Sequence, residues 1–160
     1  MTRRLIASGL FVFAASALVL SSAPTWAADS RFSQSITDLP LSSLRLDQYS
    51  DAIDAYAAQG QYQKALDVAD LGLRKNPKSA QLKFQRCVVL EKMGDTAQAK
   101  AELERFIRLY PEIPEGYNNL AALLSREGDL DAAETYLKRA LAFRPKFRQA
   151  HVNLGNLYLA

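Results

Sequence analysis

Gly60, Gly94 and Gly128 are followed five residues later by Ala65, Ala99 and Ala133, and seventeen residues later by Pro77, Pro111 and Pro145, so the whole trio steps by 34 residues. Three residue types with unrelated backbone and packing demands keep one period when a single supersecondary unit is repeated. The unit reads as a helical hairpin. Before each glycine, core positions recur at helical spacing: Tyr49, Ala52, Ile53 and Tyr56; then Leu82, Arg86, Cys87 and Leu90; then Tyr117, Leu120, Ala121 and Leu124. After each glycine a second helix runs through Ala65, Ala69 and Leu73, through Ala99, Leu103, Phe106 and Ile107, and through Ala133, Leu137, Ala140 and Leu141.

Chemistry explains why these places stay in step. Glycine reaches positive φ without a steric penalty and so ends the first helix in a tight turn. Asp95 with Gln98 predicts a capping box for the second helix, and Asp129 predicts an N-cap for the next. The alanines mark where paired helices approach most closely and where a larger side chain would cost about 1–3 kcal/mol. Each proline stops the second helix and turns the chain into the next unit.

These positions resemble the tetratricopeptide repeat family over residues 46–79, 80–113 and 114–147. In the third copy Tyr117, Leu120, Ala121, Leu124, Gly128, Leu130, Ala133, Leu137, Ala140, Leu141 and Pro145 all stand where that family expects aromatic, aliphatic, small or proline residues. The first two copies depart from the pattern at Ala52, Gly72, Lys83 and Arg86. The resemblance implies an all-α fold, a right-handed superhelical solenoid of antiparallel helix pairs. Residues 148–160 resemble the first helix of a fourth repeat, with Gly155 where a second helix would approach. Leu154, Leu157 and Tyr158 would then stay partly bare, each worth about 1.5–3 kcal/mol if fully buried. Self-association as a homodimer through 148–160, or continuation in a longer parent chain, is expected ahead of a finished monomer.

At the other end, Arg3 and Arg4 precede an apolar run from Leu5 to Leu20 that closes in Thr25-Trp26-Ala27, the three-part layout of a secretory signal peptide over residues 1–27. Cleavage after Ala27 and a periplasmic or secreted location are expected; the alternative is an uncleaved membrane anchor over residues 5–22. Residues 28–45 read as a tether with a short docking turn at Leu39, Leu41 and Leu44. Removing residues 1–27 takes Arg3 and Arg4 away, so the formal net charge of +3 falls by two and leaves no nucleic-acid footprint. Cys87 is the single cysteine, so no intramolecular disulfide can form, and its helical place points inward.

No catalytic constellation is present. His151 is the only histidine and lies on a different repeat from Cys87, and no serine sits in a nucleophile elbow. The expectation is therefore no enzyme, no metal, no cofactor and no small-molecule substrate. What remains is a surface. By the resemblance, the first helices line a groove that binds another protein or an extended peptide. Its facing places are Asp47, Asp51 and Asp54; Gln81, Phe84, Gln85 and Val88; Asn118, Asn119 and Ala122; and Asn153 and Asn156. Asp47, Asp51 and Asp54 put negative charge on one helical face, which suits a partner carrying Lys or Arg with apolar side chains over Phe84 and Val88. The plainer alternative is a solvated helix surface. Members of the family that hold chaperone C-termini clamp a carboxylate with Lys and Asn, whereas the matching places here are Ser50, Asp54, Gln85, Glu115 and Asn119, whose two acids would repel it. The sequence thus points to an exported interaction module of a bacterial envelope, with a self-associating envelope protein or an enzyme's regulatory part as alternatives.

Overall fold

The computed structural model describes residues 36–159 apart from Leu39, Leu46 and the side chain of Ser42. The proposed signal peptide, residues 1–27, and the tether before Ile36 lie outside the described residues. Among the described residues from Gln48 onward, seven helices follow one another: α1 (Gln48–Ala58), α2 (Tyr62–Lys75), α3 (Ala80–Met93), α4 (Thr96–Leu109), α5 (Pro114–Glu127), α6 (Leu130–Phe143) and α7 (Arg148–Tyr158). Among the described residues there is no strand, and each helix packs on the next in an all-α solenoid of hairpins. No described helix is long and apolar enough to cross a membrane.

The turns repeat bond for bond. Gly60, Gly94 and Gly128 have φ of 72°, 83° and 86°. In each case the amide of the next residue reaches back into the helix: Gln61 to Tyr56 O at 2.9 Å, Asp95 to Leu90 O at 3.1 Å and Asp129 to Leu124 O at 3.0 Å. This bond changes the expected capping box. Asp95 Oδ1 does accept from Gln98 N at 3.1 Å, but its own N–H is already taken by Leu90 O, so Gln98 has no donor to answer. Asp129 caps α6 in the same way, accepting from Ala132 N at 3.2 Å. A single residue separates each second helix from its proline. Asn76, Tyr110 and Arg144 have left the helical region, with φ of −134°, −134° and −135°, as steric exclusion before proline requires.

Ala65, Ala99 and Ala133 are completely buried. The interior forms two clusters. One gathers Tyr49, Ile53, Tyr56, Val68, Leu82 and Val89; the other runs from Cys87 and Leu90 through Leu103, Leu120 and Leu137 to Ala150. The end of the tether belongs to the first cluster. Leu41–Ser43 form a 3-10 turn, Ile36 and Leu44 are buried, and Tyr56 Oη donates to Thr37 O at 2.9 Å. Ile36 was not among the docking residues expected from sequence, because one apolar residue in a polar stretch carries no periodic signal.

Cys87 occupies the small-residue place that Ala121 holds one repeat later. Burial, reinforced by the nearby Glu102 carboxylate, pushes its thiol up to about 12. A folded-state pKa this high keeps the native thiol protonated while the unfolded one ionises. Stability is therefore expected to fall with rising pH above about 9 by roughly 1.4 kcal/mol per unit, a slope that Cys87→Ala should remove. Urea titrations of both proteins at several alkaline pH values would check it; equal slopes would show that the thiol is not linked to folding.

Candidate partner-binding groove

The first helices α1, α3, α5 and α7 share one face, and two depressions interrupt it. The larger, of about 450 Å³, lies between α1 and α3 and is lined by Ile53, Asp54, Ala57, Ala58, Gln81, Phe84, Gln85, Val88, Val89 and Lys92. The smaller, of about 210 Å³, lies between α5 and α7 against Ala121, Ala122, Ser125, Arg126, Leu137, Asn153 and Asn156. The floor of the first is apolar because Phe84 and Val88 are only half-buried by their own packing.

The structure divides the residues proposed from sequence. Asp54, Gln81, Phe84, Gln85 and Val88 come together in the first depression, and Ala122, Asn153 and Asn156 in the second. Asp47, Asp51, Asn118 and Asn119 line neither. The acidic stripe is also weaker than its spacing suggests. Asp47 is gripped by the Arg45 guanidinium at 3.1 and 2.5 Å, which holds its carboxyl below the usual range. Burial pushes the Asp51 carboxyl up, and Asp47 adds to it. Asp54 is pushed up by burial first and by Asp51 as well, against the Gln85 hydrogen bond, which pulls it down.

Amides expected to meet a ligand mostly meet other side chains and backbone of the first helices. Gln85 Nε2 donates to Ser50 O at 3.1 Å and to Asp54 Oδ1 at 2.9 Å, and Gln81 Nε2 donates to Ser50 Oγ at 3.1 Å. Asn153 Nδ2 donates to Asn118 Oδ1 at 2.9 Å, while Asn118 Nδ2 donates to Asn119 Oδ1 at 3.2 Å. These bonds tie successive first helices together and remove most of the donors from the surface. Buried Gln85 Oε1 has no hydrogen-bond partner among the described residues.

Sequence reasoning missed Ala57, Lys92, Ser125 and Arg126. Lys92 and Arg126 lie one helical turn beyond Val88 and Ala122 on the same faces, so helical periodicity alone could have found them. His151, by contrast, is exposed, and its Nε2 lies 2.8 Å from Pro145 O. No group of three or more metal-binding side chains occurs among the described residues.

Residues 88–147 and 123–160 match the family described as tetratricopeptide repeat. Among solved structures, the fold superposes on TTC0263, a thermophilic TPR protein of Thermus thermophilus, with a TM-score of 0.68 at 26% identity, covering 82% of this chain and 72% of that one. The second TPR domain of human RPAP3, in complex with the HSP70 peptide SGPTIEEVD, gives 0.62 at 18% identity over 69% of this chain and 92% of that one. The Yersinia enterocolitica type III secretion chaperone SycD, in complex with a peptide of the translocator YopD, gives 0.63 at 18% identity over 71% and 92%.

Proposed function

We infer, from a chain that carries tetratricopeptide repeats, that it is a protein-interaction module which holds a segment of another protein against its first helices and performs no chemistry itself. The observation that carries this reading is the depression between α1 and α3, an open space with an apolar floor between polar walls. A pocket of that kind takes a side chain, and a buried apolar anchor supplies most of the affinity of such contacts. The structures of RPAP3 and SycD hold peptides on the same fold, which supports a peptide as occupant here. Residues 1–27 would direct the chain out of the cytoplasm, where the module would serve in the envelope. N-terminal sequencing of the exported protein tests that part; a chain that keeps residues 1–27 in the cytoplasm counts against it.

Peptides selected from a random displayed library are expected to lose at least about tenfold in affinity, or 1.4 kcal/mol, on Val88→Asp. Arg108→Asp, on a second helix, should leave binding unchanged. Anisotropy titrations with a labelled selected peptide measure both, and equal losses would remove the groove from consideration.

A second reading is favoured by the outer face of α7. Tyr158 is 61% exposed, whereas Leu124, one repeat earlier at the same place, is 4% exposed. Leu159 is exposed beside it, and a methyl at Gly155 would meet nothing within 4 Å. A homodimer through 148–160 would cover this face. Light scattering across a hundredfold concentration range decides it, with Tyr158→Lys holding the mass at one chain if α7 is the interface.

A further inference from the structure

The first helices meet across repeat junctions at two offsets one helical turn apart, 31 and 35 residues, of which the second recurs at every junction between α1 and α7. Ser50 O accepts from Gln85, Asn118 Oδ1 accepts from Asn153, and Arg126 donates to Glu91 Oε1 at 2.6 Å. One repeat before Glu91 and Arg126, the same two places are held by Ala57 and Lys92. Between α3 and α5, then, a carboxylate neutralises the base. Between α1 and α3 the base remains and a methyl group replaces the acid.

The consequence is visible in the surroundings of Lys92. It is exposed, and among the described residues it has no ion pair, hydrogen bond or ring contact. Lys92 and Ala57 both line the depression of about 450 Å³, so the space that the Glu91 side chain fills next door is open here. Asp54 lines the same depression but sits one helical turn before Ala58, about 6 Å along the axis, with Oδ1 engaged by Gln85. The depression therefore runs from an acid, across Ile53, Phe84 and Val88, to an unpaired base.

We propose that Lys92 anchors the side-chain carboxylate of an Asp or Glu on the partner segment, beside an aliphatic or aromatic residue of that segment that fills the depression between α1 and α3. The proposal rests on the groove reading above and adds the partner's chemistry. The carboxylate takes the place relative to Lys92 that Glu91 takes relative to Arg126, and the apolar neighbour excludes water from the pair, which strengthens it. This adds an acid to the sequence expectation of a partner that carries Lys or Arg with apolar side chains over Phe84 and Val88, since Lys92 at the rim of the depression has no ion pair among the described residues. Lys92 lies a full turn past Val88 and is not itself one of the places that match the family's carboxylate clamp, although two of those places, Asp54 and Gln85, line the same depression.

The test uses a random peptide library displayed against the immobilised chain, with a fluorescent version of the selected peptide for affinity. An Asp or Glu next to an apolar residue should be enriched. Ala57→Glu, which supplies the missing acid within the chain, should weaken the peptide at least tenfold while leaving the melting temperature equal or higher. Lys92→Glu should weaken it similarly, and exchanging the peptide's acid for lysine should restore affinity to that variant. Binding that survives both substitutions yet is lost on Val88→Asp overturns the anchor and leaves the groove reading standing. Binding that also survives Val88→Asp, or a library that yields no binder, overturns both.

Discussion

Gly116→Leu is expected to destabilise the fold by about 3 kcal/mol, near the top of the overpacking range. A methyl added at Gly116 would lie 2.7 Å from Phe106 Cδ1 and 2.9 Å from Ile107 Cγ2, and Phe106 is only 2% exposed. The cause is an exchange of volume across repeat junctions. The place held by Phe106 in α4 is held by Gly72 in α2 and Ala140 in α6, and the place held by Gly116 in α5 is held by Leu82 in α3 and Ala150 in α7. Small faces large at one junction, large faces small at the next, and two alanines meet at the third. A methyl on Gly72 would come 2.9 Å from Leu82 Cδ1 and 3.0 Å from the Tyr49 ring, so the first junction is filled as tightly as the second. Phe106→Gly alone should cost at least about 3–5 kcal/mol through the cavity it leaves. The double variant Phe106→Gly with Gly116→Leu rebuilds the pairing of the first junction. Its loss should be well below the sum of the singles, a coupling that urea denaturation of the four proteins measures directly. Strict additivity would mean that the two places do not share one volume.

Arg86→Ala should cost about 2–3 kcal/mol, somewhat less than the loss of a fully buried ion pair. The equivalent places in the other repeats hold Ala52, Leu120 and Leu154, so a guanidinium here replaces core. Its side chain is 18% exposed and bridges two second helices, with Nε 2.7 Å from Asp70 Oδ1 on α2 and Nη1 3.5 Å from Glu102 Oε1 on α4. The bridge stands at the boundary between the two interior clusters. Leu82 and Val89 of α3 belong to one, and Cys87 and Leu90 to the other. Beside it opens a notch of about 350 Å³ lined by Leu73, Cys87, Phe106 and Leu109. Removing the arginine strands the partly covered Asp70 carboxylate, leaves Glu102 with only Arg105 at 3.6 Å and enlarges that notch, whereas replacing all three charged groups with leucine leaves only the exposed Arg105 without its acid. The triple variant should therefore lie within about 1 kcal/mol of the parent or above it. A triple variant as unstable as Arg86→Ala would show that lost packing, not stranded charge, sets the cost.

Both cases touch a place where one of the first two copies leaves the family pattern, Gly72 in the first and Arg86 in the second. From sequence, Gly72 and Arg86 read only as departures that weaken local packing. The fold shows each to be answered by a residue far along the chain: Gly72 by Leu82 and Tyr49, Arg86 by Asp70 and Glu102. A single sequence carries no mark of such answers, because they depend on which helical faces are turned toward each other. The groove was legible in the same uneven way. Phe84, Val88 and Asp54 were found because the family resemblance implies that they face the groove, while the neutralisation of Asp47 by Arg45 involves a residue before the first helix. The bonding of Gln85 to Ser50 and Asp54, and of Asn153 to Asn118, needed the distance between successive first helices.

The sequence alone determined the helices, their turns and their number per repeat, because a glycine at positive φ, an aspartate cap and a helix-stopping proline are demands of the local backbone, met within a few residues. Tertiary structure alone decided which charges are spent and which stay free, and where the stacked helices leave room. For Arg126 and Lys92 the outcome follows from the 35-residue offset that recurs between facing first helices. At that offset Arg126 receives an acid and Lys92 receives a methyl group.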